Sequence, residues 1–221
     1  MTGAGAALAG AIVLGVAYWA GWCWRASGGW GKLLVKTAST ALLAVFVYLA
    51  GGPWLAVVGL ALSALGDAFL APGEEKWLKP GMAAFFLAHV AYIALFWSLP
   101  QSERSVANLA AQIVLTVGGV AFVRWLTPWL GAMRWPVYAY TAAILVMGAA
   151  SLRLAPAYSP VMLGALMFVA SDMILSLQLF RRPAGEAPRL VPSLAVWGLY
   201  FAGQALIAWG MVHPLVPVDT Y

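Results

Sequence analysis

Apolar residues run along this chain in blocks of about 20, the length a helix needs to cross the hydrocarbon core of a bilayer. Short clusters of Gly, Pro and charged residues separate the blocks. The pattern predicts eight helices, over residues 4–24, 33–51, 54–71, 81–99, 105–124, 136–154, 158–179 and 191–212. The intervening breaks read "RASGGWGK", "GGP", "PGEEKWLKPG", "PQSER", "RWLTPWLGAMRWP", "RLAPAYSP" and "RRPAGEAPRLVP". Pro and Gly in these segments end one helix and begin the next. No stretch is left over for a soluble domain. The expectation is an all-α, polytopic membrane protein, with residues 1–221 forming a single transmembrane domain of eight helices.

Composition agrees with the pattern. Of 221 residues, 64% are hydrophobic and 9% charged, and the mean hydropathy is +0.90. A soluble domain of this length cannot hide so much apolar surface. The net charge of +5 does not point to nucleic acid, because the basic residues are scattered and the longest basic run is Arg181-Arg182. Cys23 is the lone cysteine, so an intrachain disulfide is excluded. The N-terminal block has no basic segment before it, which favours a retained first span over a cleaved signal peptide.

Charge fixes an orientation. Alternate loops carry Arg25, Lys32, Lys36, Lys76, Lys79, Arg124, Arg134, Arg181, Arg182 and Arg189, whereas the opposite set carries Arg104 and Arg153. Cytoplasmic loops are the Lys- and Arg-rich ones. Both termini are therefore expected outside the cytoplasm, in a bacterial inner membrane. A faint internal echo is also present. "LSALGDAFLA" in span 3 resembles "MFVASDMILS" in span 7, and "FLAHVAYIAL" in span 4 resembles "FAGQALIAW" in span 8. Such an echo suggests a parallel 4+4 duplication, although apolar helices also resemble one another by chance.

Two acids interrupt the greasy blocks. Five of the seven carboxylates fall in loops or at the tail, while Asp67 and Asp172 fall inside spans. A charge at the centre of a membrane helix costs about 2.5–3.5 kcal/mol on insertion scales, so such residues face the protein interior and usually work there. At about 1.5 Å per residue, Asp67 lies about 7 Å and Asp172 about 13 Å from the cytoplasmic ends of their spans. Other polar side chains share those levels. Ser63 lies one helical turn before Asp67, and Ser171 precedes Asp172. Lys36 opens span 2, followed by Thr37, Ser39 and Thr40. Tyr138 and Tyr140 open span 6, His89 and Tyr92 lie midway in span 4, and Gln204 lies midway in span 8. Lys36 can also snorkel, Tyr138 and Tyr140 can belong to an interfacial belt, and His89 can be a packing group. His213 reads as interfacial. The sequence has no Cys/His cluster suited to a metal, no G-x-S-x-G elbow and no phosphate-binding loop. What remains is acid and base chemistry by two carboxyl groups, one kept neutral and the other ionised.

These residues resemble the YhhN-like family of integral membrane proteins, whose characterised members are lysoplasmalogenases. The resemblance rests on Lys36 at span 2, "SALGDAFL" in span 3 and "KPGMAAFFLAHVAYI" with His89 and Tyr92. It continues through "PVYAYTAAILVM" with Tyr140, "GALMFVASDMILS" with Ser171 and Asp172, and "YFAGQALIA" with Gln204. It covers about residues 30–210. One departure is Thr37, where the family pattern has a proline after the lysine. The resemblance implies eight spans, no metal or organic cofactor, and hydrolysis of the vinyl ether of a lysoplasmalogen or related lysophospholipid. Asp67 and Asp172 would be catalytic, and Lys36, Ser63, His89, Tyr92, Tyr140, Ser171 and Gln204 would bind or orient the substrate. A proton-coupled transporter of small molecules or lipids using the same aspartates is the alternative, because buried acids also serve as proton relays. A non-catalytic lipid-binding protein is a third reading, in which both aspartates tolerate replacement by Asn.

Overall fold

The computed structural model describes residues 3–25, 29–182 and 186–215. Parts of two expected breaks (26–28 and 183–185) and the chain ends lie outside the described residues. The described residues form eight α-helices: α1 (Gly3–Gly21), α2 (Gly29–Leu49), α3 (Trp54–Leu70), α4 (Leu78–Ser98), α5 (Val106–Leu126), α6 (Arg134–Ser151), α7 (Ser159–Phe180) and α8 (Leu190–Val212). One 3-10 turn leads into α4 and one into α7, and two lie between α5 and α6. Six of the eight helices are long and apolar enough to cross a membrane, and the chain is an integral membrane protein. Helices suit this setting because each satisfies its own backbone hydrogen bonds without water.

Local chemistry explains several boundaries. Gly51 takes a φ of 73°, a left-handed conformation that only glycine adopts without strain, so α2 turns directly into α3. Pro53 then caps α3. Ser105 caps α5, its side chain accepting a hydrogen bond from the Asn108 amide at 3.1 Å, as N-cap serines do. The main difference from the sequence pattern is the start of α2. The helix begins at Gly29 rather than at residue 33, because Gly29, Trp30, Gly31 and Lys32 add a turn whose two glycines and one lysine interrupt the apolar pattern. Lys36 therefore lies two turns inside its helix instead of opening it.

Consecutive helices pack together as α1 on α2, α2 on α3, α3 on α4, α5 on α6, α6 on α7 and α7 on α8. The two groups of four meet where α2 packs on α8 and α4 packs on α6. α7 and α8 approach most closely at Gly164 and Gly203, where a Cβ on Gly203 would come within 2.6 Å of the Gly164 carbonyl oxygen. Small residues at such crossings let membrane helices touch backbone to backbone. Leu43, Leu60, Tyr92, Phe96, Met147, Phe168 and Ile207 fill the centre and are fully buried. Ile113, Val114 and Val117 on α5 are exposed, as are Val13 and Val16 on α1, the apolar exterior expected of helices bathed in lipid.

Candidate active site

Asp67 lies one turn from the C-terminal end of α3 and is 1% exposed. Three donors from two other helices surround it. Lys36 Nζ on α2 lies 3.1 Å from Oδ1. Thr40, one turn further along α2, donates its hydroxyl to Oδ2 at 2.8 Å. Tyr200 on α8 donates to the same oxygen at 2.6 Å. A buried carboxylate is tolerated when it is both paired and hydrogen-bonded. The lysine is itself seated 5.9 Å from the centre of the Trp197 ring, within cation–π range, and the Trp197 indole N–H is tied to the Gly15 carbonyl at 2.9 Å.

Asp172 on α7 has a separate retinue. The Tyr140 hydroxyl on α6 donates to its Oδ2 in a short hydrogen bond. His89 Nε2 on α4 lies 3.1 Å from the same hydroxyl and 3.8 Å from the carboxylate. Since Tyr140 gives its proton to Asp172, its oxygen accepts from His89, which assigns the ring proton to Nε2. His89 is fully buried, and its Nδ1 has no hydrogen-bond partner. The Ser171 hydroxyl donates to the Phe168 carbonyl at 2.8 Å and lies 3.4 Å from Asp172 Oδ1.

Both aspartates line one cavity of about 480 Å³, within the usual range for small-ligand pockets. Lys36, Tyr140, Ser171 and Tyr200 also line it, as do Lys32 and Arg182. The remaining wall is mostly apolar and includes Phe85, Phe122, Leu145 and Val169. The lining draws on all eight helices, Tyr18 from α1 included, and extends from the last turns of α3 and α7 and the first turns of α2, α4 and α8 to mid-helix at Val114 on α5 and Val169 on α7. The cavity thus occupies the end of the bundle where the basic residues gather. Asp67 and Asp172 are not joined by a hydrogen bond to each other. They face a shared space, each held by its own donors.

The residues singled out in sequence divide into two groups. Lys36, Asp67, Tyr140, Ser171 and Asp172 meet at the cavity. Ser63, Tyr92 and Gln204 form a chain beyond its lining: Tyr92 donates to Gln204 Oε1 at 2.6 Å, and Gln204 Nε2 donates to Ser63 Oγ at 2.9 Å. Ser63 in turn donates to the Gly59 carbonyl at 2.8 Å. All three are fully buried, so this chain links α3, α4 and α8 within the core. His89 reaches the cavity through Tyr140. Tyr138 points elsewhere, its hydroxyl 2.7 Å from Thr127 Oγ1 and 3.2 Å from Arg134 Nε. His213 is exposed and stacks on Trp209.

Tyr200 was not among the sequence candidates. Its signal was available, because it lies one helical turn before Gln204 on the same face of α8. Trp197, three residues earlier still, is buried rather than lipid-facing. Cys23, just past the end of α1, also lines the cavity. Burial pushes its thiol up to about 11, so it is no nucleophile near neutral pH. Among the described residues, no three His, Cys, Asp or Glu side chains gather closely enough to hold a metal ion.

The chain is similar to proteins of known activity. Lysoplasmalogenase TMEM86A of Bos taurus is 28% identical over 220 residues, covering 92% of this chain and 88% of its own length. Lysoplasmalogenase TMEM86A of Homo sapiens is 29% identical over the same span, with the same coverage. No solved structure matches. The YhhN family model matches residues 31–211, which contain both aspartates, and the chain belongs to the YhhN family.

Proposed function

We propose that this protein hydrolyses the vinyl ether bond of a lysoplasmalogen or a closely related lysophospholipid, using Asp67 and Asp172. The observation that carries the reading is that two buried aspartates from different helices line one largely apolar cavity. The names of the two relatives support the substrate class. α3 and α7 run unbroken through both aspartates, unlike the interrupted helices at many transporter sites, and this argues against the carrier alternative.

The chemistry needs a proton donor and a base. Asp172 gives a proton to the β-carbon of the vinyl ether, and the oxygen-bearing carbon becomes an oxocarbenium ion. Water adds to that carbon while Asp67 takes a proton from it. The hemiacetal then collapses. Its hydroxyl proton returns to Asp172, Asp67 returns a proton to the departing oxygen, and the C–O bond breaks. The products are a fatty aldehyde and a glycerophospho-alcohol, and both acids are reset. The donor sets support this division. Oδ1 of Asp67 meets Lys36 alone and keeps a position free to accept a proton from water. Asp172 is open to the cavity, its side chain 14% exposed, and Tyr140 with His89 behind it fixes the rotamer. A negative Asp67 also lowers the energy of the developing cation.

All eight helices are read as spans, with the basic end and the cavity facing the cytoplasm. A parallel 4+4 duplication is supported by equivalent contacts between the halves: α2 on α8 corresponds, four helices on, to α6 on α4. The two aspartates follow the same rule. Asp67 on α3 is held from α2 and α8, and Asp172 on α7 is held from α6 and α4.

The test is aldehyde release by the purified protein in detergent, with the ester-linked lysolipid as control. General acid–base groups contribute about 10²–10⁴-fold each, so Asp67→Asn and Asp172→Asn each lose at least about a hundredfold in rate while remaining folded. Near-normal turnover in folded Asn variants overturns the mechanism. Cleavage of the ester substrate alone overturns the substrate assignment.

A further inference from the structure

One wall of the cavity differs from the rest. α5 supplies Val114, Leu115, Gly118, Gly119 and Phe122 to the lining, yet it packs mainly on α6. Val114 lines the cavity while being 72% exposed on the outer face of the bundle. Gly118 is likewise both exposed and lining. On α7, Met173 and Leu179 do the same, at 37% and 42% exposure. Residues that border an inner cavity and also face the surroundings mark an opening in its wall. Here that opening lies between α5 and α7, at apolar helix surfaces that face lipid.

The opening has a frame. Toward the basic end, the Arg181 guanidinium lies over the rings of Trp125 and Trp129, at 4.6 and 4.5 Å, and Phe122, Leu126, Leu177 and Phe180 pack together. Toward the middle of the bundle, Leu115 and Val169 come together, both within reach of a Cβ built on Gly148, at 2.9 and 3.2 Å. Between these two closures lies Gly118. A Cβ added there meets nothing within 4 Å. At the adjacent Gly119, an added Cβ runs into the Leu145 side chain. Gly119 is therefore needed for packing α5 on α6, whereas the missing side chain at Gly118 serves no neighbour and leaves space.

We propose that the hydrocarbon chain of the substrate leaves the cavity through this window into the bilayer, and that Gly118 keeps the window wide enough for a long chain. The proposal rests on the lysolipid reading of the site. The vinyl ether must reach aspartates buried among helices, yet the tail gains nothing by leaving hydrocarbon. A side opening at bilayer depth lets the reacting bond enter while the tail stays where it is already solvated.

The test uses Gly118→Phe with Gly118→Ala as control, on vinyl ether lysolipids with tails of about sixteen and about eight carbons. Each methylene denied burial carries a few-fold in affinity, so Gly118→Phe should lower kcat/KM for the long tail at least about tenfold and change the short-tail value less than about threefold. Retained short-tail activity reports that the variant is folded. Gly118→Ala, which adds one methyl to the same opening, should lower the long-tail value less than Gly118→Phe does and leave the short-tail value within the same threefold. The same comparison is made by binding of the saturated-ether lysolipids, which have no double bond to protonate. Equal losses for both tails, or no loss for either, overturns the window. A long-tail binding defect in Gly118→Phe, with no aldehyde released by wild type, supports the window and overturns the hydrolase reading.

Discussion

Lys36 Nζ lies 3.1 Å from Asp67 Oδ1, an ammonium paired with a carboxylate that is itself 1% exposed. Removing one member of a buried pair is costly because the other is left unmatched, typically by about 3–5 kcal/mol. Lys36→Met should therefore lower stability in detergent markedly, and the double variant Lys36→Met, Asp67→Asn should recover much of the loss without recovering turnover. Thermal unfolding of the single and double variants checks this. A Lys36→Met protein as stable as wild type would show that the pair adds nothing to the fold.

Tyr140 stands between His89 and Asp172, accepting from one and donating to the other. Tyr140→Phe leaves a buried imidazole N–H and a carboxyl oxygen without their partner, at about 1–3 kcal/mol for each unsatisfied group. The expected result is a loss of both stability and kcat, with KM little changed, because the lost contact orients the acid rather than the lipid. Tyr200→Phe should be milder, since Thr40 still donates to the same oxygen of Asp67. Steady-state kinetics of the two variants, side by side, give the comparison; Tyr200→Phe proving the more damaging would reverse the assignment.

Lys32 and Arg182 border the cavity and are not engaged by either aspartate. Lys32 is held in place by the Arg25 carbonyl at 2.7 Å. They suit a substrate phosphate, with Arg182 able to grip it through two N–H groups. Lys32→Gln and Arg182→Gln should raise KM several-fold and leave kcat nearly unchanged. The effect should disappear on a vinyl ether glycerol that lacks the phosphate. Equal effects on both substrates would mean that these cations hold the fold and not the head group.

Orientation can be read with cysteine chemistry. Cys23 is replaced by Ser, and single cysteines are then placed beside Lys76, Arg189 or Arg104. In intact cells an impermeant thiol reagent should label the Arg104 site and spare the other two. Fast labelling beside Lys76 and Arg189 would place the basic end, and the cavity with it, outside.

Much of the helical plan was legible because a membrane span must be long and apolar, and both requirements are written in the order of residues. The two aspartates were legible for the complementary reason that a charge in such a helix is costly. The limits of the sequence show in Gln204 and Tyr200. Both are polar, on one face of α8 and one turn apart, and sequence singled out Gln204 alone. The two differ in depth: Tyr200, one turn nearer the basic end, lines the cavity, whereas Gln204 lies beyond it, bonded to Tyr92 and Ser63, and how deep the cavity reaches is set by packing that hydropathy does not record. The start of α2 was misjudged because two glycines and a lysine interrupt the apolar pattern in its first turn, so hydropathy began the helix at the wrong residue. The direct partner of Asp67, Lys36, was assigned to the snorkelling or substrate-binding roles that an isolated basic residue suggests.

The cavity has two unlike borders, cations at one and lipid-facing apolar side chains at the other. The proposed reaction divides an amphiphile into one piece that prefers water and one that prefers oil. Before cleavage, the bond between them holds both pieces across the site. After cleavage each is free to follow its own solubility, the polar alcohol past Lys32 and Arg182 and the aldehyde between α5 and α7. In the proposed reaction, separate exits would keep the two products from meeting again at the aspartates, with partitioning between water and hydrocarbon drawing them apart.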